Sequence, residues 1–219
     1  MPQNNLATLS EYDETAIQRN VDQLALVHGN LLGVSRDARV IYVTSCHVGE
    51  GKTTSAIQMV HGLSINRCRV LLIDANPRSP ILHEKYGITI FPGFLDGVHG
   101  VSSELSELVR ETKYPNLYVM PFGLKTEGRP ELIRTKIVNF LAKLRSEFDY
   151  VILDGHAMTG SDTIMVAMCC DGAVMTIQSA VTKWEIVKQY KKKLAIMGVP
   201  TLGAVLNKRK YYIPKMFYL

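Results

Sequence analysis

The chain has 219 residues, of which 47% are hydrophobic and 21% charged. That is enough for one large α/β domain, or for a domain with a helical extension. The net charge of +5 and a pI near 9.0 permit an anionic partner without demanding nucleic acid. No apolar run approaches the roughly 20 residues that a bilayer span needs.

The first residues, Met1-Pro2-Gln3-Asn4-Asn5, carry no signal-peptide pattern, and residues 1–9 are expected to be loose. Ser10 followed by Asp13 and Glu14 predicts a helix start, with the helix running to about His28. Gly29 and Gly33 read as a break. Strands are expected at Arg39–Ser45, Arg69–Asp74, Asn116–Phe122, Tyr150–Asp154, Gly172–Gln178 and Thr201–Asn207. Helices are expected at Lys52–Asn66, Glu131–Glu147, Asp162–Met168 and Lys183–Met197, with short ones near Pro80–Tyr86 and Ser103–Glu111. Several strands are solidly apolar, as parallel strands covered on both faces are. The alternation predicts a doubly wound, mostly parallel α/β sheet. The expected organisation is a helical extension over 1–38, a nucleotide-binding domain over 39–210 and an aromatic tail over 211–219. Cys46, Cys68, Cys169 and Cys170 lack metal-ligand spacing; the adjacent pair reads as buried thiols in a reduced, cytoplasmic protein.

The most informative stretch joins the apolar run Val40–Ser45 to a helix through Cys46-His47-Val48-Gly49-Glu50-Gly51-Lys52-Thr53-Thr54. It is close to the phosphate-loop pattern G-x-x-x-x-G-K-[ST], with Cys46 in place of the first glycine. Gly49 and Gly51 let the backbone turn its N–H groups toward phosphate, with Glu50 between them and Thr54 in the helix's first turn. The helix opening at Lys52 aims its positive end at the same anion. Lys52 would reach the terminal phosphates, and the Thr53 hydroxyl would take one Mg²⁺ position. Two apolar strands end in Asp, at Asp74 and Asp154. A carboxylate there can hold Mg²⁺ or position a nucleophile beside the γ-phosphate, or simply cap the following turn.

From Asp74 onward the order of motifs resembles a known family. Ile73-Asp74-Ala75-Asn76-Pro77-Arg78-Ser79-Pro80, Gly93-Phe94-Leu95-Asp96-Gly97-Val98, Pro121-Phe122-Gly123, Pro130-Glu131-Leu132, Phe148–Asp154, Asp171-Gly172 and Gly203–Lys208 all stand in the order found in the bacterial tyrosine kinases. These are P-loop autokinases of exopolysaccharide and capsule export. The resemblance covers roughly residues 10–210, within the nucleotide-binding fold class shared with partition and division-site ATPases. It implies Mg²⁺-ATP as cofactor, a protein-tyrosine kinase activity, and catalytic roles for Lys52, Asp74 and Asp154. Thr53, Asp74, Asn76 and Asp154 would serve the metal, and Asn207 would meet the adenine, its plainer role being to start a loop. Arg78 would stabilise phosphate charge, hold a neighbouring subunit, or stand as an ordinary loop arginine. The resemblance also implies a membrane-embedded polysaccharide co-polymerase or chain-length regulator as partner, and a place at the inner face of the membrane through it. Homo-oligomerisation through the N-terminal helix and phosphoacceptor tyrosines in the tail (Tyr211, Tyr212 and Tyr218) are implied as well.

Four departures stand against it. Asn76 replaces an Asp and brings no charge. Gly155-His156-Ala157 replaces Thr-Pro-Pro, predicting a more flexible loop with an exposed, non-catalytic His or a His base. Cys46 and Val48 alter the phosphate loop. Asp13, Ala16 and Arg19 keep one of two arginines expected in the oligomerisation helix. The tail is also apolar at Ile213, Met216, Phe217 and Leu219, so docking competes with phosphorylation there. Lys191-Lys192-Lys193 and Lys208-Arg209-Lys210 hold most of the basic excess, as a solvated face or one drawn to anionic headgroups. No aromatic-interleaved surface suggests nucleic acid. Two alternatives follow: a degenerate ATP-binding scaffold that regulates the membrane protein, and a partition-type ATPase. His47 stands where the latter carries an additional Lys.

Overall fold

A computed structural model describes residues 6–18, 26–102, 104–123, 132–158 and 161–209, without the side chains of 11–13, 16, 28, 161 and 162. Among these residues the elements are α1 (Glu11–Gln18), α2 (Val27–Val34), β1 (Val40–Ser45), α3 (Lys52–Ile65), β2 (Val70–Asp74), α4 (Leu82–Lys85), α5 (Phe94–His99) and α6 (Leu105–Leu108). There follow β3 (Arg110–Glu111), β4 (Leu117–Met120), α7 (Arg134–Glu147), β5 (Tyr150–Asp154), α8 (Ser161–Ala167), β6 (Gly172–Gln178), α9 (Trp184–Ile196) and β7 (Thr201–Asn207). They build one seven-stranded sheet in the order β3-β4-β2-β5-β1-β6-β7. All pairings are parallel except that of the two-residue edge strand β3.

Strand side chains divide between two cores by the two-residue period of a pleated sheet. On β1, Val40 and Tyr42 point into a layer covered by α5 to α9, whereas Ile41 and Val43 point into a layer covered by α1 to α4. Both layers are dry along β1, β2 and β5, which is why these strands read as unbroken apolar runs. Helix α7 buries Ile137, Phe140, Leu141 and Leu144, one face at the 3.6-residue spacing. At the amino ends of the strands, carboxylates take up stray N–H groups: Asp171 accepts from Arg39 and Val40 at 2.8 Å, and Asp149 accepts from Arg69 at 2.8 Å.

Two expectations are corrected, and one helix appears where none was expected. Residues 6–9 are not loose: Ala7 and Leu9 are buried, and Ala7 bridges to the β3 edge through its bonds with Glu111 and Lys113. Gly29 and Gly33 do not break the chain but lie within α2, whose Leu31 packs into the core. The segment around Gly93 and Gly97 forms α5, which the two glycines concealed. A Cβ at Gly93 would stand 2.2 Å from the Pro121 carbonyl oxygen, and one at Gly97 2.3 Å from the Phe140 ring. These glycines therefore serve close packing of a helix, with Phe94 and Leu95 N–H groups donating to Pro121 and Phe122.

Candidate functional site

The phosphate-type loop leaves β1 at the point where the chain's crossovers change side. The path β1-α3-β2 runs to one flank of β1 and β5-α8-β6 to the other. Such a switch point opens a crevice at the carboxyl ends of the strands. Gly49 and Gly51 adopt φ of 86° and 94°, left-handed values that disfavour any side chain. Gly51 is the residue before α3, and a Cβ there would lie 2.0 Å from the Asn207 amide nitrogen. The N–H groups of the first helical turn have no intrahelical acceptor and face the loop's concavity end-on.

Three contacts brace this loop from outside. Glu50 is buried; its carboxylate accepts the His47 N–H at 3.0 Å and the Thr182 hydroxyl from the turn before α9. Asn207 at the end of β7 donates to the Glu50 carbonyl at 2.9 Å. Lys208 donates its ammonium to the Gly49 carbonyl at 2.6 Å. Both ends of the Asn207 amide are engaged, since its oxygen accepts the Lys208 N–H at 2.9 Å. Thr182 and Lys208 were missed in the sequence. No local pattern marks Thr182, while Lys208 directly follows a strand-end Asn already singled out.

Asp74 and Asp154 are register partners on adjacent strands, so both carboxylates arrive at the same rim. Their surroundings differ. Asp74 accepts three backbone N–H groups, from Asn76 at 3.1 Å, Ile81 at 2.8 Å and Leu82 at 3.0 Å. These bonds oppose the rise in its pKa that burial causes. Asp154 is 1% exposed, and neither of its oxygens has a donor in hydrogen-bond geometry. Burial first, then the neighbouring Asp74 charge, push its pKa up to about 7, while Thr53 and Lys52 pull it down. Lys52 is buried as well; desolvation lowers its pKa against the attraction of Asp154 and Glu50.

A buried carboxylate with two unsatisfied oxygens, flanked by a hydroxyl and an ammonium, has the chemistry of half a Mg²⁺-phosphate site. Among the described residues no three His, Cys, Asp or Glu groups gather to hold a metal by themselves. Mg²⁺ usually takes one or two carboxylates and completes its shell with water and phosphate oxygens. Asn76 fits less well. Its side-chain oxygen accepts the N–H groups of Arg78 and Ser79 at 3.2 and 3.3 Å, and its nitrogen donates to Ser79 at 3.0 Å. It shapes the turn after Asp74 rather than presenting a free oxygen.

The loop after Asp154 also departs from expectation. Gly155, His156, Ala157 and Met158 are all buried. Gly155 and Met158 donate to Val43 and Ser45 at 3.0 and 3.2 Å, and Thr44 donates to the His156 carbonyl at 2.9 Å. Tyr42 reaches up from β1 so that its hydroxyl accepts the His156 N–H at 3.2 Å. A Cβ on residue 155 would fall 2.0 Å from the Tyr42 ring, so Tyr42 occupies the space that a side chain at 155 would need. The loop is tied down rather than flexible, and His156 is inside rather than exposed. Cys46 is also buried, and desolvation pushes its thiol up to about 11, which makes it unreactive. Cys169 and Cys170 are half-buried as residues, and burial of the Cys170 thiol itself pushes its pKa well above the ordinary value. Arg19, Pro130, Glu131, Tyr211, Tyr212 and Tyr218, and the side chain of Asp13, lie outside the described residues.

A doubly wound parallel sheet, a glycine-turned loop ending in Gly-Lys-Thr, and strand-end carboxylates beside it define a P-loop nucleotide-binding protein. More narrowly, the chain belongs to the AAA domain family AAA_31, whose model matches residues 38–198. It is 26% identical over 185 residues to the tyrosine-protein kinase CpsD of Streptococcus agalactiae, covering 83% of this chain and 80% of that protein. It is 28% identical over 195 residues to the tyrosine-protein kinase YwqD of Bacillus subtilis, covering 87% of this chain and 82% of the relative. Among solved structures the VpsO kinase domain superposes with a TM-score of 0.77 at 26% identity, covering 92% of this chain and all of that one. The septum site-determining protein MinD of Pyrococcus horikoshii, solved with Mg-ADP, shares the fold with a TM-score of 0.68 at 19% identity, over 81% and 74% of the two chains.

Proposed function

We propose that this chain is an ATP-dependent protein-tyrosine kinase of exopolysaccharide or capsule biosynthesis, and that it uses Mg²⁺-ATP. The observation that carries this reading is the convergence of Lys52 and Thr53 on the unsatisfied Asp154 carboxylate, beside Asp74 at one rim. The kinase names of relatives aligned over four-fifths of the chain support it.

Gly49, Glu50, Gly51 and the first turn of α3, through Thr54, offer backbone N–H groups to the phosphates, and Lys52 neutralises the group being transferred. Thr53 and Asp154 would hold Mg²⁺, which would supply neutralisation of phosphate charge. Asp74 has one lone-pair position left after its three N–H bonds, enough to orient a tyrosine hydroxyl and receive its proton. Asn207 sets the height of the loop through Glu50 and brings the β7 end toward the base. The proposed partner is a membrane-embedded polysaccharide co-polymerase, with this chain at the inner face; no described helix is long and apolar enough to cross a membrane. Oligomerisation through α1 belongs to the same proposal.

Purified protein with Mg²⁺-ATP is expected to become phosphotyrosine-positive, and Lys52→Met is expected to abolish the signal. Phosphate on none of Tyr211, Tyr212 or Tyr218 by mass spectrometry would remove the tail from the account.

The closed turn around Asn76 favours a second reading, a nucleotide-bound scaffold with little transfer. It wins if phosphotyrosine appears only after Asn76→Asp.

A further inference from the structure

The outward face of α9 takes no part in the nucleotide site. Its inner side is fixed by Val187 and Leu194, with Ile186, Tyr190 and Met197 half-buried beside them. The exposed flank next to Val187 carries Trp184, Lys188, Lys191 and Ala195 at spacings of four, three and four, one stripe along a helix of about 20 Å. Lys192 lies next to that stripe, and Lys183 precedes the helix. All four lysines are exposed, and none has an ion pair among the described residues. Lys193 differs, since it turns inward to the Met158 carbonyl at 3.4 Å. Glu185, the one acidic residue on α9, shares the next exposed row with Gln189, Lys192 and Ile196, so that row is mixed while the Trp184 row carries only cations and apolar side chains. At the two ends stand large apolar side chains left in water: Trp184 at 64% exposed with Val181 at 65% before it, and Ile196 at 76%.

We propose that this face of α9 docks directly onto an anionic lipid surface, beyond any contact made through a membrane partner. Lysines attract the headgroups of an anionic leaflet, each strengthening binding about fivefold near the surface. Their long stems let the ammonium groups stay at headgroup level while apolar neighbours sink deeper. Trp is the side chain best suited to that boundary, and Ile196, on the adjoining row with Lys192, adds apolar surface at the far end. The surface is a convex helix rather than a groove, and its cations are lysines rather than arginine forks. These features favour a bilayer over a nucleic acid. Thr182, two residues before α9, bonds Glu50 of the phosphate loop, so the docked helix starts at the nucleotide rim and runs away from it. The lipid would lie alongside the nucleotide site and leave it open.

Trp184 is the only tryptophan in the chain, so its fluorescence reports on this face alone. With the full chain, vesicles containing phosphatidylglycerol are expected to shift its emission to the blue and to sediment the protein, while phosphatidylcholine vesicles are not. Brominated acyl chains are expected to quench it, and high salt to release it. Lys188→Ala, Lys191→Ala and Lys192→Ala together should weaken the partition on the order of a hundredfold, with circular dichroism unchanged. Trp184→Ala provides a second variant, read by sedimentation. Unchanged emission with anionic vesicles, or undiminished binding by the triple variant, would overturn the proposal. So would a shift produced by duplex DNA or by an acidic protein where vesicles give none. Lys52→Met is expected to bind vesicles like the wild type, so failure of the kinase reading and failure of this one register in different assays.

Discussion

Asp154 combines burial, a like-charged neighbour and two oxygens without donors, an arrangement that works against stability unless something binds there. Its folded pKa of about 7 is above the ordinary carboxylate value, so the folded chain holds that proton more tightly than the unfolded chain. The stabilisation is therefore full below the unfolded pKa and is lost as pH rises toward 7. Asp154→Asn is expected to raise the ligand-free stability at pH 8 by roughly 1–3 kcal/mol. It should also flatten the pH dependence between the two pKa values and abolish Mg²⁺-dependent nucleotide binding. Thermal melts with and without Mg²⁺-nucleotide check all three. Gly155 gives a second test at this scale. Gly155→Ala drives a methyl into the Tyr42 ring and should lose about 1–3 kcal/mol, whereas Tyr42→Val should spare most of that loss in the double variant. A denaturant double-mutant cycle with no coupling would refute the pairing. Lys52, Thr53, Asp74 and Asp154 were legible because their neighbours in sequence carry the signal: an apolar strand before, a helix or turn after. Tyr42 and Gly155 were not, because 113 positions separate them and only β1–β5 pairing reveals that one fills the space the other vacates.

At the scale of elements, the same distinction decides which boundaries could be read. β5, β6 and β7 have the limits expected from sequence, since mostly apolar runs closed by polar or turn residues mark both ends. α2 and α5 were hidden by glycine, for different reasons. In α5 the glycines answer close contacts, and no substitution would be neutral. In α2 nothing lies within 4 Å of a Cβ built at Gly29 or Gly33, and neither has a left-handed φ. These two therefore only weaken a helix that tertiary packing of Leu31 and the neighbouring α3 hold in place. Gly29→Ala and Gly33→Ala are each expected to add about 0.5–1 kcal/mol of stability, by the difference in helix propensity. Chemical denaturation checks this, and a loss of stability in either variant would mean that α2 is not helical in solution. β3 was illegible for a simpler reason: two residues of antiparallel edge pairing leave no periodicity to detect.

Across the whole molecule, the site is assembled from parts that lie far apart in sequence and meet because one sheet orders them. The loop comes from β1, the carboxylates from β2 and β5, and the braces from the β6–α9 turn and the end of β7. A nucleotide that fills the rim would satisfy Asp154, bind the loop's N–H groups and keep the Glu50–Thr182 and Glu50–Asn207 contacts closed. It would thereby join both flanks of the sheet through their common centre. Ligand bound only by the folded chain stabilises it by mass action, about 2.7 kcal/mol at a hundred times Kd. For a chain of this size each kcal/mol moves Tm by roughly 2–4 °C, so saturating Mg²⁺-ADP should raise Tm by about 5–10 °C. Lys52→Met should melt near the wild-type temperature without ligand and show little of that rise. Hydrogen exchange on the same samples locates the effect. Protection should increase in the phosphate loop, at the start of α3 and at the end of β7, while the amino ends of the strands, at the opposite edge of the sheet, should change least. A thermal shift without added protection at the end of β7 would place the nucleotide on the loop alone and disconnect the Asn207–Lys208 brace from binding.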